Sequence, residues 1–255
     1  MKTKQEQTGR PRLVLLHGWG MNARVWDAVL PGLSSFADVS APDLPGHGGN
    51  PVALKDLPGV LDYLRDEMDA GPAVWVGWSL GGLLAQAFAA RYPGRVRHLV
   101  LVAAQPRFVQ ARDWPQAMDS QVLNAFAGDL AGDFRKTLKR FLALQFHGVE
   151  GAQTTVRSLT HQLFELPPQP EALSVGLTML RDLDLRERLR SLACPVDLIL
   201  GEYDRLVPVD CAGPVTALAP GRIRAHVVAR AGHAPFLTHP DLFSAWLRCI
   251  VEASD

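Results

Sequence analysis

Cysteine is scarce. Cys194, Cys211 and Cys249 are odd in number, far apart and without metal-ligand spacing, so neither a disulfide framework nor a metal site is expected. Net charge is also lacking, because 26 Lys and Arg residues balance 26 Asp and Glu residues. That argues against a chain-wide attraction to nucleic acid or anionic lipid and leaves charged partners to local patches. No apolar run approaches the roughly 18 residues of a membrane span, and the opening MKTKQEQTGRPR has no apolar centre of the kind a secretory signal needs. A cytoplasmic protein, bound to neither nucleic acid nor membrane, is the expectation. Repeats and low-complexity tracts are missing too. What remains is ordinary globular composition, 47% apolar and 20% charged, at a length suited to one domain over 1–255 and expected as a monomer.

From residue 12, apolar runs alternate with longer stretches of helical period, the pattern of βαβ units and a mostly parallel sheet. The fold class is α/β. Strands are predicted at 13–16, around 39–41, and at 73–77, 96–102, 196–200 and 223–228; helices are predicted at 23–30, 57–69, 80–91 and 240–251. Between about 106 and 182 the strand signal stops and helical segments at 121–130, 134–145 and 152–164 follow one another, as in an inserted helical lid. The proline-rich stretch at 165–173 breaks helices inside this insert, since too few residues follow it to build a second core.

Gly77-Trp78-Ser79-Leu80-Gly81-Gly82 stands between the apolar run 73–76 and a helical stretch. This is G-x-S-x-G in the strand-to-helix setting that projects a serine hydroxyl from the top of a sheet. Ser79 is the candidate nucleophile. Its attack on an ester carbonyl creates an oxyanion that needs backbone N–H donors; Leu80 supplies one candidate and Trp19, in His17-Gly-Trp-Gly20 directly after the first strand, the other. His17 is expected to orient that loop rather than transfer protons.

A serine needs a base to accept its proton and return one to the leaving group. His233, in Ala231-Gly-His-Ala-Pro-Phe236 after the last predicted strand, has the chain position that this order of nucleophile, acid and histidine requires. His47 and Asp43 precede Ser79 and read as structural. Asp204, in Gly201-Glu-Tyr-Asp204, is the preferred acid, with Glu202 and Asp210 as nearby alternatives. The complete set argues against a non-catalytic receptor, and Ser79 against a dehalogenase, which uses aspartate at the elbow.

Taken together, Leu13-Val-Leu-Leu-His-Gly-Trp-Gly20, Asp43-Leu-Pro-Gly46, Gly77-Trp-Ser-Leu-Gly-Gly82, Arg140-Phe-Leu-Ala-Leu-Gln145 and Ala231-Gly-His-Ala-Pro-Phe236 resemble the BioH family of pimeloyl-[acyl-carrier protein] methyl ester esterases. The likeness runs over nearly the whole chain. Its more specific parts are the pairing of Trp19 with Trp78 and the lid segment 140–145. The resemblance implies an α/β-hydrolase fold, a cofactor-free serine carboxylesterase of biotin biosynthesis, and Ser79, Asp204 and His233 as the triad. It further implies substrate contacts at Trp19, Ser79, Leu80, Phe141, Leu142, Ala143, Leu144, Gln145 and His233, and carrier-protein contacts at Lys136, Arg140 and Arg157. Gln153 stands where the family has arginine, and Gln105 where it has serine. The residues themselves add that Arg135, Lys136, Lys139 and Arg140 form a basic cluster suited to an acidic carrier. A general carboxylesterase acting on short free acyl esters is the alternative, because a triad alone does not choose a leaving group.

Overall fold

The computed structural model describes residues 9–68 and 71–254; the reading of the chain's opening at 1–8, and Asp69 at the end of the expected 57–69 helix, lie outside them. Six strands, β1 (Arg12–Leu16), β2 (Asp38–Ser40), β3 (Ala73–Trp78), β4 (Val96–Val102), β5 (Val196–Gly201) and β6 (Ile223–Val228), form one sheet in the order β2-β1-β3-β4-β5-β6. Every pairing is parallel. Parallel strands need covered faces, and every residue of β3 and β5 is buried.

The helices, in chain order, are α1 (Leu30–Ser34), α2 (Leu57–Glu67), α3 (Leu80–Arg91), α4 (Ser120–Gly132), α5 (Phe134–Gln145), α6 (Gln153–Glu165), α7 (Pro170–Asp182), α8 (Arg186–Ser191), α9 (Ala212–Thr216), α10 (Pro235–Thr238) and α11 (Pro240–Ser254). α3 is buried from Leu80 to Ala89 because β3 and β4 press on one side and α2, α7 and α8 on the other. Its apolar residues therefore run all round it rather than along a stripe. α11 buries Phe243, Leu247, Ile250 and Val251 at helical spacing and covers β4.

One expectation fails at 23–30. The Asn22 side chain caps a single 3₁₀ turn at Ala23–Trp26 instead of a full helix, and the chain restarts as α1 with Pro31 in its first turn. Proline has no N–H to donate to a carbonyl one turn back, so it opens the new helix and does not continue the old one.

The insert between β4 and β5 is helical from residue 120. Asp119 and Asp133 cap α4 and α5 by accepting the Gln121 and Lys136 N–H groups at 2.8 and 3.0 Å. Residues 107–118 are irregular, held by bridges of Arg107 to Asp184, Val109 to Met118 and Ala111 to Trp114. The proline-rich stretch does interrupt the helices at 166–169, but Pro170 opens α7, a helix that the prolines hid in the sequence.

The chain leaves β1 outward to β2 and returns past β1 to β3, so the connections of β1 and β3 run in opposite directions. That switch point opens a crevice at the carboxyl ends of the two strands. Leu16 and Gly77 are paired there, which sets the loop 17–20 beside the turn at Ser79.

Candidate active site

Ser79 occupies the sharp turn between β3 and α3 at φ 54 and ψ −117. That conformation is uncommon for a residue with a side chain and costs on the order of 1–3 kcal/mol unless its surroundings enforce it. The enforcement is visible. Ser79 N–H donates to the Val102 carbonyl at 3.0 Å, and the Ser79 carbonyl accepts from Gly82 N–H at 2.9 Å. A Cβ on Gly77 would lie 2.4 Å from the Gly81 carbonyl oxygen, and one on Gly81 would lie 2.4 Å from that of Leu16. The G-x-S-x-G spacing is thus a packing requirement of the turn.

The loop after β1 approaches from the other side. His17 Nε2 accepts the Leu44 N–H at 3.0 Å, so in the neutral ring Nδ1 carries the proton and donates to the Gly18 carbonyl at 2.9 Å. Burial, reinforced by the His47 ring 5.2 Å away, pushes His17 down to about 3, which suits a neutral positioning group. Trp19 donates its indole N–H to the Leu173 carbonyl of α7 at 2.8 Å and meets Phe141 of α5 edge-on at 4.8 Å. The backbone N–H groups of Trp19 and Leu80 donate to no protein acceptor among the described residues. They remain available to a developing oxyanion.

His233 and Asp204 meet after β6 and β5. His233 Nδ1 and Asp204 Oδ2 are 2.8 Å apart, with both side chains buried. The other carboxylate oxygen, Oδ1, accepts N–H groups from Leu206 at 2.8 Å and Val207 at 3.0 Å, which fixes the carboxylate's orientation. The alternatives turn elsewhere. Glu202 accepts the Arg230 N–H at 2.7 Å, and Asp210 is exposed in a 3₁₀ turn. Ser79 is 1% exposed, His233 0% and Asp204 5%. Ser79 Oγ and His233 Nε2 are both buried without a hydrogen-bond partner. Other buried side-chain atoms, among them Trp26 Nε1 and Gln86 Oε1, also lack a partner; what distinguishes these two is that a serine–histidine proton transfer would join them.

The helical insert meets this region through α5. The apolar face of α5 buries Leu138, Phe141, Leu142 and Gln145, whereas Ala143 faces solvent and Leu144 is half-buried. Of the five expected substrate contacts at 141–145, Ala143 is the one on the exposed face of α5. Gln145 contributes something its residue type could not announce, since its main-chain carbonyl accepts the His233 N–H at 2.9 Å. Trp78 does likewise from the elbow, donating its indole N–H to the His233 carbonyl at 2.8 Å.

The residues expected to contact a carrier lie on the outer side of the helical insert. Lys136, Arg140 and Arg157 are exposed, and Arg140 pairs with Asp129 of α4. A groove of about 650 Å³ runs between α5 and α6, lined by Lys139, Val156, Arg157, Thr160, His161, Phe164 and Glu165. It is a surface feature on the lid and does not include the residues around Ser79. Gln105, which follows β4, is buried and accepts the Trp114 indole N–H at 3.1 Å, while Gln153 opens α6 and is exposed. No cluster of three potential metal ligands occurs among the described residues, and none of their helices is long and apolar enough to cross a membrane.

Sheet order, elbow and inserted lid together define an α/β hydrolase, and a family model described as the alpha/beta hydrolase fold matches residues 11–240. The chain is 40% identical over 242 residues, 94% of each protein, to the pimeloyl-[acyl-carrier protein] methyl ester esterase of Photobacterium profundum. It is 43% identical over 246 residues to the enzyme of that name from Xanthomonas axonopodis pv. citri, covering 95% of this chain and 96% of the relative. Among solved structures, an esterase from Exiguobacterium antarcticum superposes with a TM-score of 0.86 at 22% identity, over 95% of this chain and 92% of that one; this likeness concerns the fold. The chain belongs to the alpha/beta hydrolase family, in the branch of the pimeloyl-[acyl-carrier protein] methyl ester esterases.

Proposed function

We propose that this chain hydrolyses the methyl ester of pimeloyl-[acyl-carrier protein] to the free acid and methanol in biotin biosynthesis, with Ser79, His233 and Asp204 as its catalytic triad. The observation that carries the mechanism is the buried His233–Asp204 pair beside two unpartnered atoms, Ser79 Oγ and His233 Nε2. Ser79 Oγ attacks the ester carbonyl and His233 Nε2 takes its proton; Trp19 and Leu80 N–H groups hold the oxyanion. Asp204 keeps the imidazole in the tautomer with Nδ1 protonated and stabilises the imidazolium. Collapse of the tetrahedral intermediate breaks the bond to methoxide, which leaves as methanol with the proton from His233. Water, deprotonated by the same nitrogen, then releases the acid from Ser79. Acyl transfer to water is complete without a cofactor.

Phe141, Leu142, Leu144 and Gln145 bound the acyl chain in this reading, and Lys136, Arg140 and Arg157 meet the acidic carrier on the outside of the lid, where such charges speed and orient encounter. The names and identities of the relatives support the substrate. We assign the protein to the cytoplasm as a monomer, with no nucleic-acid or membrane partner. A second reading, a general carboxylesterase on short free acyl esters, draws on the pairing of Arg140 with Asp129, which neutralises part of the basic patch.

The test is kcat/KM for methanol release from pimeloyl-carrier-protein methyl ester beside that for free monomethyl pimelate, with Ser79→Ala as control. A large preference for the carrier-bound ester, lost in the control, is the expected result. Comparable rates on both would favour the second reading, and an active Ser79→Ala protein would remove Ser79 from the mechanism.

A further inference from the structure

We infer that Trp78, the residue before the nucleophile, is a positioning residue for the base: its indole N–H holds the His233 main chain from the elbow side while the lid holds it from the other. The inference rests on the proposed role of His233. Trp78 Nε1 donates to the His233 carbonyl at 2.8 Å across 155 positions of sequence, and the indole is fully buried. The His233 N–H in turn donates to the Gln145 carbonyl at 2.9 Å, at the last residue of α5. Both main-chain polar groups of one residue are therefore fixed by partners outside its own loop.

The indole has little room to shift. A Cβ on Gly18 would lie 3.0 Å from its ring; the His233 ring is 5.8 Å away and Phe236 meets it edge-on at 5.2 Å. Trp78 is wedged between the loop bearing the oxyanion donor and the loop bearing the base. His233 Nδ1 is already committed to Asp204, so the reach of Nε2 toward Ser79 is set by where the backbone of residue 233 sits. Displacements of about 1 Å in such a group cost up to about 100-fold in rate. A buried indole usually finds an acceptor, and a tryptophan that only filled the core could make the same bond. The two cases differ in what they affect. Filling sets stability, whereas positioning sets kcat at constant KM.

The experiment compares Trp78→Phe with a protein carrying benzothienylalanine at position 78, which keeps the ring's shape and lacks the N–H donor. Steady-state turnover of a p-nitrophenyl ester and of the methyl ester is measured per folded site, together with the thermal midpoint and the rate of labelling by a fluorophosphonate. Loss of one aligning hydrogen bond should lower kcat and the labelling rate about tenfold, with KM within twofold of the parent. The benzothienylalanine protein should behave like Trp78→Phe while melting near the parent, and it alone decides the matter if the phenylalanine variant does not fold. Parental kcat per folded site in that protein overturns the positioning role. His233→Ala and Ser79→Ala run beside it separate the two levels. If either retains parental turnover the proposed mechanism itself falls; if both are inactive and the isostere is fully active, only the role of Trp78 falls.

Discussion

Asp204→Asn offers a sharp test of the proposed site because the surroundings dictate which way the new amide must face. Asp204 Oδ1 accepts two backbone N–H groups, from Leu206 and Val207, and Oδ2 faces His233 Nδ1. An asparagine can satisfy those two donors only with its carbonyl oxygen, which turns its NH2 toward His233. Nδ1 must then accept a hydrogen bond, and the ring's single proton moves to Nε2, the atom that has to take the Ser79 proton. The geometry is kept and the tautomer is wrong. Such a reversal costs roughly 10³–10⁴ in kcat, or about 4–5.5 kcal/mol of transition-state stabilisation. All three hydrogen bonds survive with their directions altered, so stability should change by less than about 1 kcal/mol. Turnover of the carrier-bound methyl ester and a urea melt on the same preparation measure both quantities. A variant within tenfold of the parental kcat would refute the assignment of Asp204, and a large loss of stability would refute the argument from the amide's orientation.

Burial depresses His17 to about 3 in the folded chain against about 6.5 in an unfolded one. The folded state therefore binds fewer protons between those values, so His17's contribution is full above about pH 6.5 and is lost as pH falls toward about 3; urea midpoints should fall over that window, and less steeply in His17→Gln. An unchanged slope would refute the assignment. Replacing Lys136, Arg140 and Arg157 together with alanine should raise KM for the carrier-bound ester about tenfold or more, weaken its salt dependence and leave free monomethyl pimelate within twofold; parallel losses on both substrates would count against a docking role. A Cβ at residue 232 would lie 2.5 Å from the Gln145 carbonyl oxygen, so Gly232→Ala should destabilise the fold by about 1–3 kcal/mol and lower kcat more than it raises KM. Parental kcat would mean that the lid's hold on His233 does not matter for turnover.

The sheet was legible because its strands are short apolar runs bounded by turn residues, and all six expected positions begin within a residue of the observed strands. The elbow was legible for a different reason. Gly77, Ser79 and Gly81 are close in sequence and their spacing follows from one tight turn. Asp204 could be preferred over Glu202 and Asp210 only in outline, since what separates them is tertiary: one faces His233, one accepts the Arg230 N–H and one is exposed. α7 was missed because the prolines at 167, 168 and 170 read as breakers, although Pro170 occupies the helix's first turn. The outward direction of Ala143 was readable in principle. Leu138, Phe141, Leu142 and Gln145 mark the buried face of α5, and 143 falls off that stripe. The main-chain partners of His233 left no trace, because a carbonyl oxygen carries no residue identity.

α5 ties these features together. Its inner face carries Phe141 against Trp19, the residue whose N–H is the proposed oxyanion donor, and its last carbonyl holds the His233 N–H. Its outer face carries Lys136, Lys139 and Arg140. At 1.5 Å per residue the stretch from Lys136 to Gln145 is only about 14 Å long, so a carrier seated on the outer charges would bear on the same rigid rod that bounds the acyl site and props the base. Ser79, His233 and Asp204 are all buried. An outward displacement of α5 would lengthen the bond from Gln145 to His233 and leave Trp78 and Asp204 as the holds on the base. If Lys136 and Arg140 meet a carrier and His233 is the base, α5 would couple docking and alignment of the base within one helix.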